Sequence, residues 1–332
     1  MQWGLQGRRG CSFLTKTARC SLASSIPRPG ATPIATTHLP LAVPADPLLH
    51  DARRYLALAR RHYENFPVGS WLLPRSARLH LQRIYAFART ADDLADELRD
   101  AAALAAFRRD FLRHLDDGGN DVPLFVDLRA TMRQCELERG LFTDLLDAFA
   151  QDLERNRYDL PGLLDYCRRS ADPVGRLVLR VCGYRRAQLD RWSDSICTAL
   201  QLLNHLQDLG ADLRERDRIY FPSEDLVQFG VGETQLRAVA ADEQVRAFVL
   251  HWADRIGAQF AAGWPLIDAV NGRLRWELRA ILRGAAAVLR RIRLAGGDVL
   301  GQRVHLGKLE RTGVLLAGLC RRSAPQFTAV RA

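Results

Sequence analysis

Apolar residues recur along most of this chain at the spacing of a buried helix face. Between 76 and 98 the stripe is Leu81, Ile84, Tyr85, Ala88, Ala91, Ala95 and Leu98; between 196 and 213 it is Ile196, Ala199, Leu200, Leu203, Leu206, Gly210 and Leu213. Steps of three and four residues put these side chains on one helix face, so both runs are predicted helices. Pro67 and Pro74 break the chain before the first run, and Asp116-Asp117-Gly118-Gly119-Asn120 reads as a turn. Pro161 can open a helix from its first turn, and Pro222 closes the passage after the second run. Alternating Val/Ile/Thr runs and hairpin dipeptides between such runs are lacking, so the fold class is all-α in a single domain over 47–312.

Each helical run carries acids where its pattern calls for burial. The first reads Ala91-Asp92-Asp93-Leu94-Ala95-Asp96-Glu97 and the second Asn204-His205-Leu206-Gln207-Asp208-Leu209-Gly210-Ala211-Asp212. Asp92 and Asp96 lie one helical turn apart on one face, as do Asp208 and Asp212, with Asn204 one turn earlier. Like charges at this spacing repel. A hard divalent cation removes the repulsion, and Mg²⁺ takes one or two protein carboxylates together with substrate phosphate oxygens. Mn²⁺ is the alternative ion. Two such helices facing one another would hold a diphosphate between metal ions, so Asp92, Asp96, Asn204, Asp208 and Asp212 are the candidate ligands. Asp93 points about 100° from Asp92 and is a weaker candidate. A solvated acidic face is the plain alternative for either motif alone; Arg89, Arg214, Arg216 and Arg218 close by in sequence favour the anion-binding reading of both. Removing a diphosphate from an allylic or cyclopropylcarbinyl carbon calls for charge stabilisation of the leaving group. The carbocation left behind calls for a dry cavity between helices, for which Tyr85, Phe87 and Phe66 are candidate linings, with plain core packing the commoner role for any single one of them.

Charge adds one question and removes another. The chain carries 48 Lys plus Arg against 38 Asp plus Glu, a net +10, with Lys16 and Lys308 its only lysines. Such a surface suits an anionic partner, and the cytoplasmic membrane leaflet is the expected one; Val314, Leu315, Leu316 and Leu319 ahead of Arg321 and Arg322 are either a contact with it or a helix end packed on its own domain. Nucleic acid is not expected, because no Cys/His finger, aromatic RNA-binding stripe or basic arm accompanies the charge. The cysteines Cys11, Cys20, Cys135, Cys167, Cys182, Cys197 and Cys320 are odd in number and form no C-x-x-C, which points to reduced thiols in the cytoplasm. No uninterrupted run of 18 apolar residues predicts a membrane span. Residues 1–46 are rich in Ser, Thr, Pro and Arg with no acid before Asp46. That composition fits a transit peptide, a disordered extension or an overextended start, and the last two are the expectation. Residues 313–332 are expected to be a short basic and apolar tail.

Four stretches together resemble the squalene/phytoene synthase family, in its hopanoid-pathway branch. They are His62-Tyr63-Glu64-Asn65-Phe66-Pro67-Val68-Gly69-Ser70; Ile84-Tyr85-Ala86-Phe87-Ala88-Arg89 running into the first acidic motif; Tyr166-Cys167-Arg168-Arg169-Ser170-Ala171-Asp172-Pro173-Val174-Gly175-Arg176; and Gln207-Asp208 through Asp212 to Arg218-Ile219-Tyr220-Phe221-Pro222. The similarity spans roughly 50 to 310. It implies an isoprenoid synthase helical bundle around a central cavity and Mg²⁺ held by the paired aspartates. It also implies diphosphate contacts from Arg89 and Arg218, and a pocket lined by Tyr85 with His62 and Phe66. Family members that join two allylic diphosphates carry an H-S-x-S-F segment and Y-C-x-x-V-A-G-x-V-G. Here the first is His62-Tyr63-Glu64-Asn65-Phe66, and in the second Ser170-Ala171-Asp172-Pro173 precedes Val174-Gly175. Bulk, charge and a proline replace hydroxyls and small residues, which fits a substrate that is already joined. The resemblance therefore implies ionisation of presqualene diphosphate and capture of the rearranged cation by water, giving hydroxysqualene. No reduction is expected, since no G-x-G-x-x-G follows a strand. The alternatives are a condensing synthase acting on farnesyl or geranylgeranyl diphosphate, and a non-catalytic assembly or lipid-binding member of the fold. The oligomeric state is left open.

Overall fold

The computed structural model describes residues 75–118 and 122–301, with single positions and short stretches between 304 and 328. His62, Phe66 and the 1–46 extension lie outside the described residues, as do the side chains of the apolar tail positions 314–316 and 319. Thirteen helices and two short strands follow in order among them: α1 (Arg75–Asp96), α2 (Ala101–Asp117), α3 (Pro123–Gln134), α4 (Arg139–Glu154), β1 (Arg157–Tyr158), α5 (Leu160–Ser170), α6 (Asp172–Val181), α7 (Ala187–Gln207), α8 (Leu209–Arg216), β2 (Ile219–Pro222), α9 (Ser223–Gln228), α10 (Glu233–Leu236), α11 (Glu243–Gly263), α12 (Pro265–Ala269) and α13 (Gly272–Leu294).

The helices begin and stop where local chemistry directs. Asp100 accepts from the Ala103 amide at the start of α2, and Gly118 closes that helix in the left-handed region at φ +72°. Asp159 caps α5 through the Gly162 amide, with Pro161 in the first turn as expected. Asp242 does the same for α11 through Val245. The stripe predicted to run to Leu98 stops earlier: α1 ends at Asp96 and Leu98 is 67% exposed, beside Arg99 at φ +51°.

Two apolar cores result. α1 to α4 close around Phe87, whose ring lies 4.6 Å from Phe111, 5.3 Å from Phe107 and 5.5 Å from Phe142. Phe87 is thus a core side chain, the plainer of the two roles open to an aromatic at helical spacing. The second core surrounds α7 and α11. Their close approach uses Gly263, where a Cβ would sit 2.9 Å from the Trp192 carbonyl oxygen and 2.5 Å from Ile196 Cγ1.

The strands, which the hydrophobic pattern does not announce, are a two-stranded parallel pair with Arg157 beside Ile219. The Ile219 amide donates to the Asn156 carbonyl at 2.9 Å. This pairing brings the segment after the second acidic motif against the end of α4.

Candidate active site

The last three turns of α1 put Tyr85, Arg89, Asp92 and Asp96 along one face at steps of four, three and four. Tyr85, Arg89 and Asp92 are buried, and Asp96 is partly so. Arg89 Nη1 donates to Asp92 Oδ2 at 3.3 Å, while its Nη2 lies 2.5 Å from Asp93 and 2.7 Å from Glu97. Burial, reinforced by the charge of Asp96 and opposed by Arg89, pushes the Asp92 carboxyl up to about 8. Burial also lifts Asp93 to about 6, against the pull of Arg89. Asp93 and Glu97 therefore serve as counter-ions of Arg89. Glu97 was absent from the predicted set, although it stands two turns after Arg89.

The second motif does not ride one continuous helix, as its periodicity suggested. α7 ends at Gln207, Asp208 adopts φ −101° and ψ 7°, and α8 restarts at Leu209. Gly210, two residues on, weakens helix propensity at this point. The backbone ladder still brackets the break: Asp208 N donates to Asn204 O at 3.0 Å and Asp212 N to Asp208 O at 2.8 Å. Asn204 and Asp208 are partly buried and Asp212 is buried. Arg216 lies 3.4 Å from Asp212, whereas Arg214 is exposed and reaches the Ala238 carbonyl.

Arg218 links the two motifs. Its amide donates to the Asp212 carbonyl at 3.1 Å, and its Nη1 lies 3.5 Å from Asp96. The same guanidinium donates to the Asp152 carbonyl at 2.7 Å and to the Tyr220 hydroxyl at 2.8 Å, and it pairs with the Asp152 carboxylate at 3.5 Å. Asp152 accepts from Tyr166 at 2.7 Å and from Tyr220 at 3.3 Å. Its burial raises its carboxyl to about 6, against the lowering effect of Arg218. Below Tyr220, the His205 ring stacks at 3.6 Å. Burial holds the His205 imidazole well below its ordinary value, hence neutral. Asp152 and Tyr220 were not among the predicted site residues. Asp152 carried a usable signal, because it follows Leu145 and Phe149 at helical spacing and so is an acid on an apolar stripe.

An apolar cleft, partly open, runs beside α7. Val174, Gly175, Val178, Ser193, Cys197 and Leu200 line much of it. On α7, residues 193, 197, 200, 204 and 208 fall on one face, so the cleft and the second motif share that face. The second motif thus stands at one end of a helix face whose other end is walled mostly by apolar side chains.

Among the described residues no group of three or more His, Cys, Asp and Glu side chains stands ready as a closed metal cage. The donor chemistry nevertheless suits a hard cation. Two carboxylates stand one turn apart on α1, and burying Asp92 beside Asp96 makes its ionised form costly until a positive charge arrives.

An all-α bundle with paired carboxylates above an apolar cleft defines the isoprenoid synthase class. The family model for squalene/phytoene synthase matches residues 59–310, and the chain belongs to that family. The hydroxysqualene synthase of Zymomonas mobilis subsp. mobilis is 36% identical over 256 residues, covering 76% of this chain and 85% of that protein. The hydroxysqualene synthase of Sinorhizobium fredii is 34% identical over 255 residues, 76% of this chain and 86% of its own length. Among solved structures, squalene synthase HpnC from Alicyclobacillus acidocaldarius is 40% identical, with a TM-score of 0.68 over 74% of this chain and 95% of that one.

Proposed function

We propose that this chain ionises presqualene diphosphate and captures the rearranged carbocation with water, releasing hydroxysqualene and diphosphate. The observation that carries the proposal is its similarity to hydroxysqualene synthases over about three quarters of its length. The Ser170-Ala171-Asp172-Pro173 segment, where condensing members have V-A-G-x, agrees with it. The match over 59–310 supports one catalytic domain at 47–312.

Asp92, Asp96, Asp208 and Asp212, with Asn204 beside them, would hold Mg²⁺ or Mn²⁺; Asp93, paired with Arg89, is the weaker candidate. When bound, the ion supplies positive charge to the diphosphate leaving group. Arg89 and Arg218 orient the diphosphate through their planar forks. The carbon–oxygen bond breaks with its electron pair on the diphosphate. The cation left behind rearranges against the apolar cleft, with Tyr85 presenting its ring from α1. A water oxygen then bonds to the cation and its proton is lost, so no reductant enters.

The chain would take this substrate from the cytoplasmic membrane face, where a net charge of +10 suits anionic lipid. Among the described residues no helix is long and apolar enough to cross a membrane. No nucleic-acid role is proposed.

Purified protein with Mg²⁺, given presqualene diphosphate in one reaction and farnesyl diphosphate in another, tests the proposal. Mass spectrometry should find hydroxysqualene in the first and no product in the second. Product from farnesyl diphosphate alone would make the chain a condensing synthase.

A further inference from the structure

Between the acidic end of the site and the apolar cleft lie two buried oxygens that the mechanism above leaves unused. Gln201 is 0% and Ser170 1% exposed. Neither the Gln201 side-chain oxygen nor the Ser170 hydroxyl has a hydrogen-bond partner among the described residues. Buried polar atoms are nearly always satisfied by protein or by ordered water, so each such atom points to a missing small partner.

The two stand at one level of the bundle. Tyr166 on α5 faces His205 on α7, with ring centroids 6.1 Å apart, and Thr198 on α7 donates to Asp172 at 2.9 Å. Ser170 falls four residues after Tyr166 and two before Asp172. Gln201 falls four before His205 and three after Thr198. These contacts bracket the pair from both sides and set Ser170 across from Gln201. The Gln201 amide nitrogen lies 3.2 Å from His205 Nε2. With its nitrogen on that side, the amide carries its oxygen away from His205. One turn beyond Ser170 and Gln201 lie Val174 and Cys197, both walls of the cleft. In the opposite direction along α7, Asn204 and Asp208 follow within two turns. Ser170 also stands where the condensing pattern Y-C-x-x-V-A-G has valine.

We propose that Ser170 and Gln201 hold the water that captures the carbocation; the inference rests on the function proposed above. With its hydrogens directed to the Ser170 and Gln201 oxygens, that water presents a lone pair toward the cleft. The oxygen forms the new C–O bond and one of its O–H bonds breaks. The electron pair of that bond stays on oxygen and the proton passes to the diphosphate released in the same turnover. A valine at position 170 removes one of the two acceptors, and the cation then ends by losing a proton to give a hydrocarbon.

The test uses Ser170→Val, Ser170→Thr and Gln201→Leu in the full chain with Mg²⁺ and presqualene diphosphate, following diphosphate release and product identity together. In Ser170→Val and Gln201→Leu, diphosphate release persists while the ratio of alcohol to hydrocarbon falls about 10-fold, the worth of roughly one hydrogen bond. Ser170→Thr restores the hydroxyl and with it the alcohol. An unaltered ratio in both Ser170→Val and Gln201→Leu overturns the proposal, and so does a loss of diphosphate release in step with the alcohol. If the parent protein forms no alcohol, the proposed function falls and this inference with it; if the parent does and the variants match it, only this inference falls.

Discussion

Arg218 holds Nη1 3.5 Å from the Asp96 carboxylate, which joins the strand after the second acidic motif to the end of the first. The contact exists because β1 and β2 pair in parallel, which delivers Arg218 to the end of α4 and lets Nη2 donate to the Asp152 carbonyl. A guanidinium so anchored keeps one edge beside the acids. Arg218→Ala should lower kcat/KM for presqualene diphosphate by about 10²-fold, as expected when a charge that stabilises the leaving group is lost. Arg218→Lys should recover little, since a single ammonium nitrogen lacks the planar fork that reaches Asp96 and Tyr220 from Nη1 and the Asp152 carbonyl from Nη2. Steady-state kinetics on the two variants checks this.

Asp152 acts through Arg218 rather than on substrate. Asp152→Asn keeps the shape but removes the charge that pairs with Arg218, and should cost about 10-fold in kcat/KM, the scale of a lost supporting contact. The same change made in the Arg218→Ala background should cost almost nothing more. A double-mutant cycle reads the difference; additive losses would mean that Asp152 has a separate role.

Asp92 pairs burial with a like-charged neighbour, so its carboxylate is a burden to the ligand-free fold. Asp92→Asn should leave the melting temperature equal or higher while turnover falls by about 10²- to 10³-fold. Asp208→Ala should show a comparable loss of turnover. Both should also blunt the rise in melting temperature that Mg²⁺ produces in the parent. Differential scanning fluorimetry with and without Mg²⁺ measures that effect without reference to activity.

Asp172 gives the fold a pH dependence away from the acidic motifs. Burial, then the charge of Asp194, raises its carboxyl from an ordinary 3.8 to about 7, while the Thr198 hydroxyl, Arg176 and Arg168 oppose the rise. The buried thiols Cys167 and Cys197 lie near it. The native state therefore binds more protons than the unfolded chain between those two values, and stability falls as pH rises through that window. Asp92 and Asp152, also raised, act in the same direction, while His205, held neutral, opposes them below its ordinary 6.5. The melting temperature should drop from pH 5 to pH 8, and Asp172→Asn should flatten part of that slope. An unchanged slope in Asp172→Asn would show that Asp172 is ionised throughout.

The helices and the acids were legible because each depends on local spacing. The 3.6-residue stripe of α1, the Gly118 stop, the Pro161 start and the i, i+4 acids all act within a turn or two. What stayed hidden depends on contacts distant along the chain. Arg218 meets Asp152 across 66 residues, and only the β1–β2 pairing brings them together. Phe87 has the look of an aromatic beside a catalytic motif, yet its ring faces Phe111 and Phe142. Helical spacing cannot say which side of α1 packs into the core of α1 to α4. The break at Asp208 was missed because the apolar stripe continues past it, leaving the periodicity intact while the backbone angle changes.

The central claim is that a carbocation made from presqualene diphosphate ends by bonding to water. Turnover of presqualene diphosphate in ¹⁸O-labelled water, followed by mass spectrometry of the product, tests it most directly. The account predicts hydroxysqualene carrying one labelled oxygen. An unlabelled alcohol, or a hydrocarbon with no oxygen at all, would contradict it.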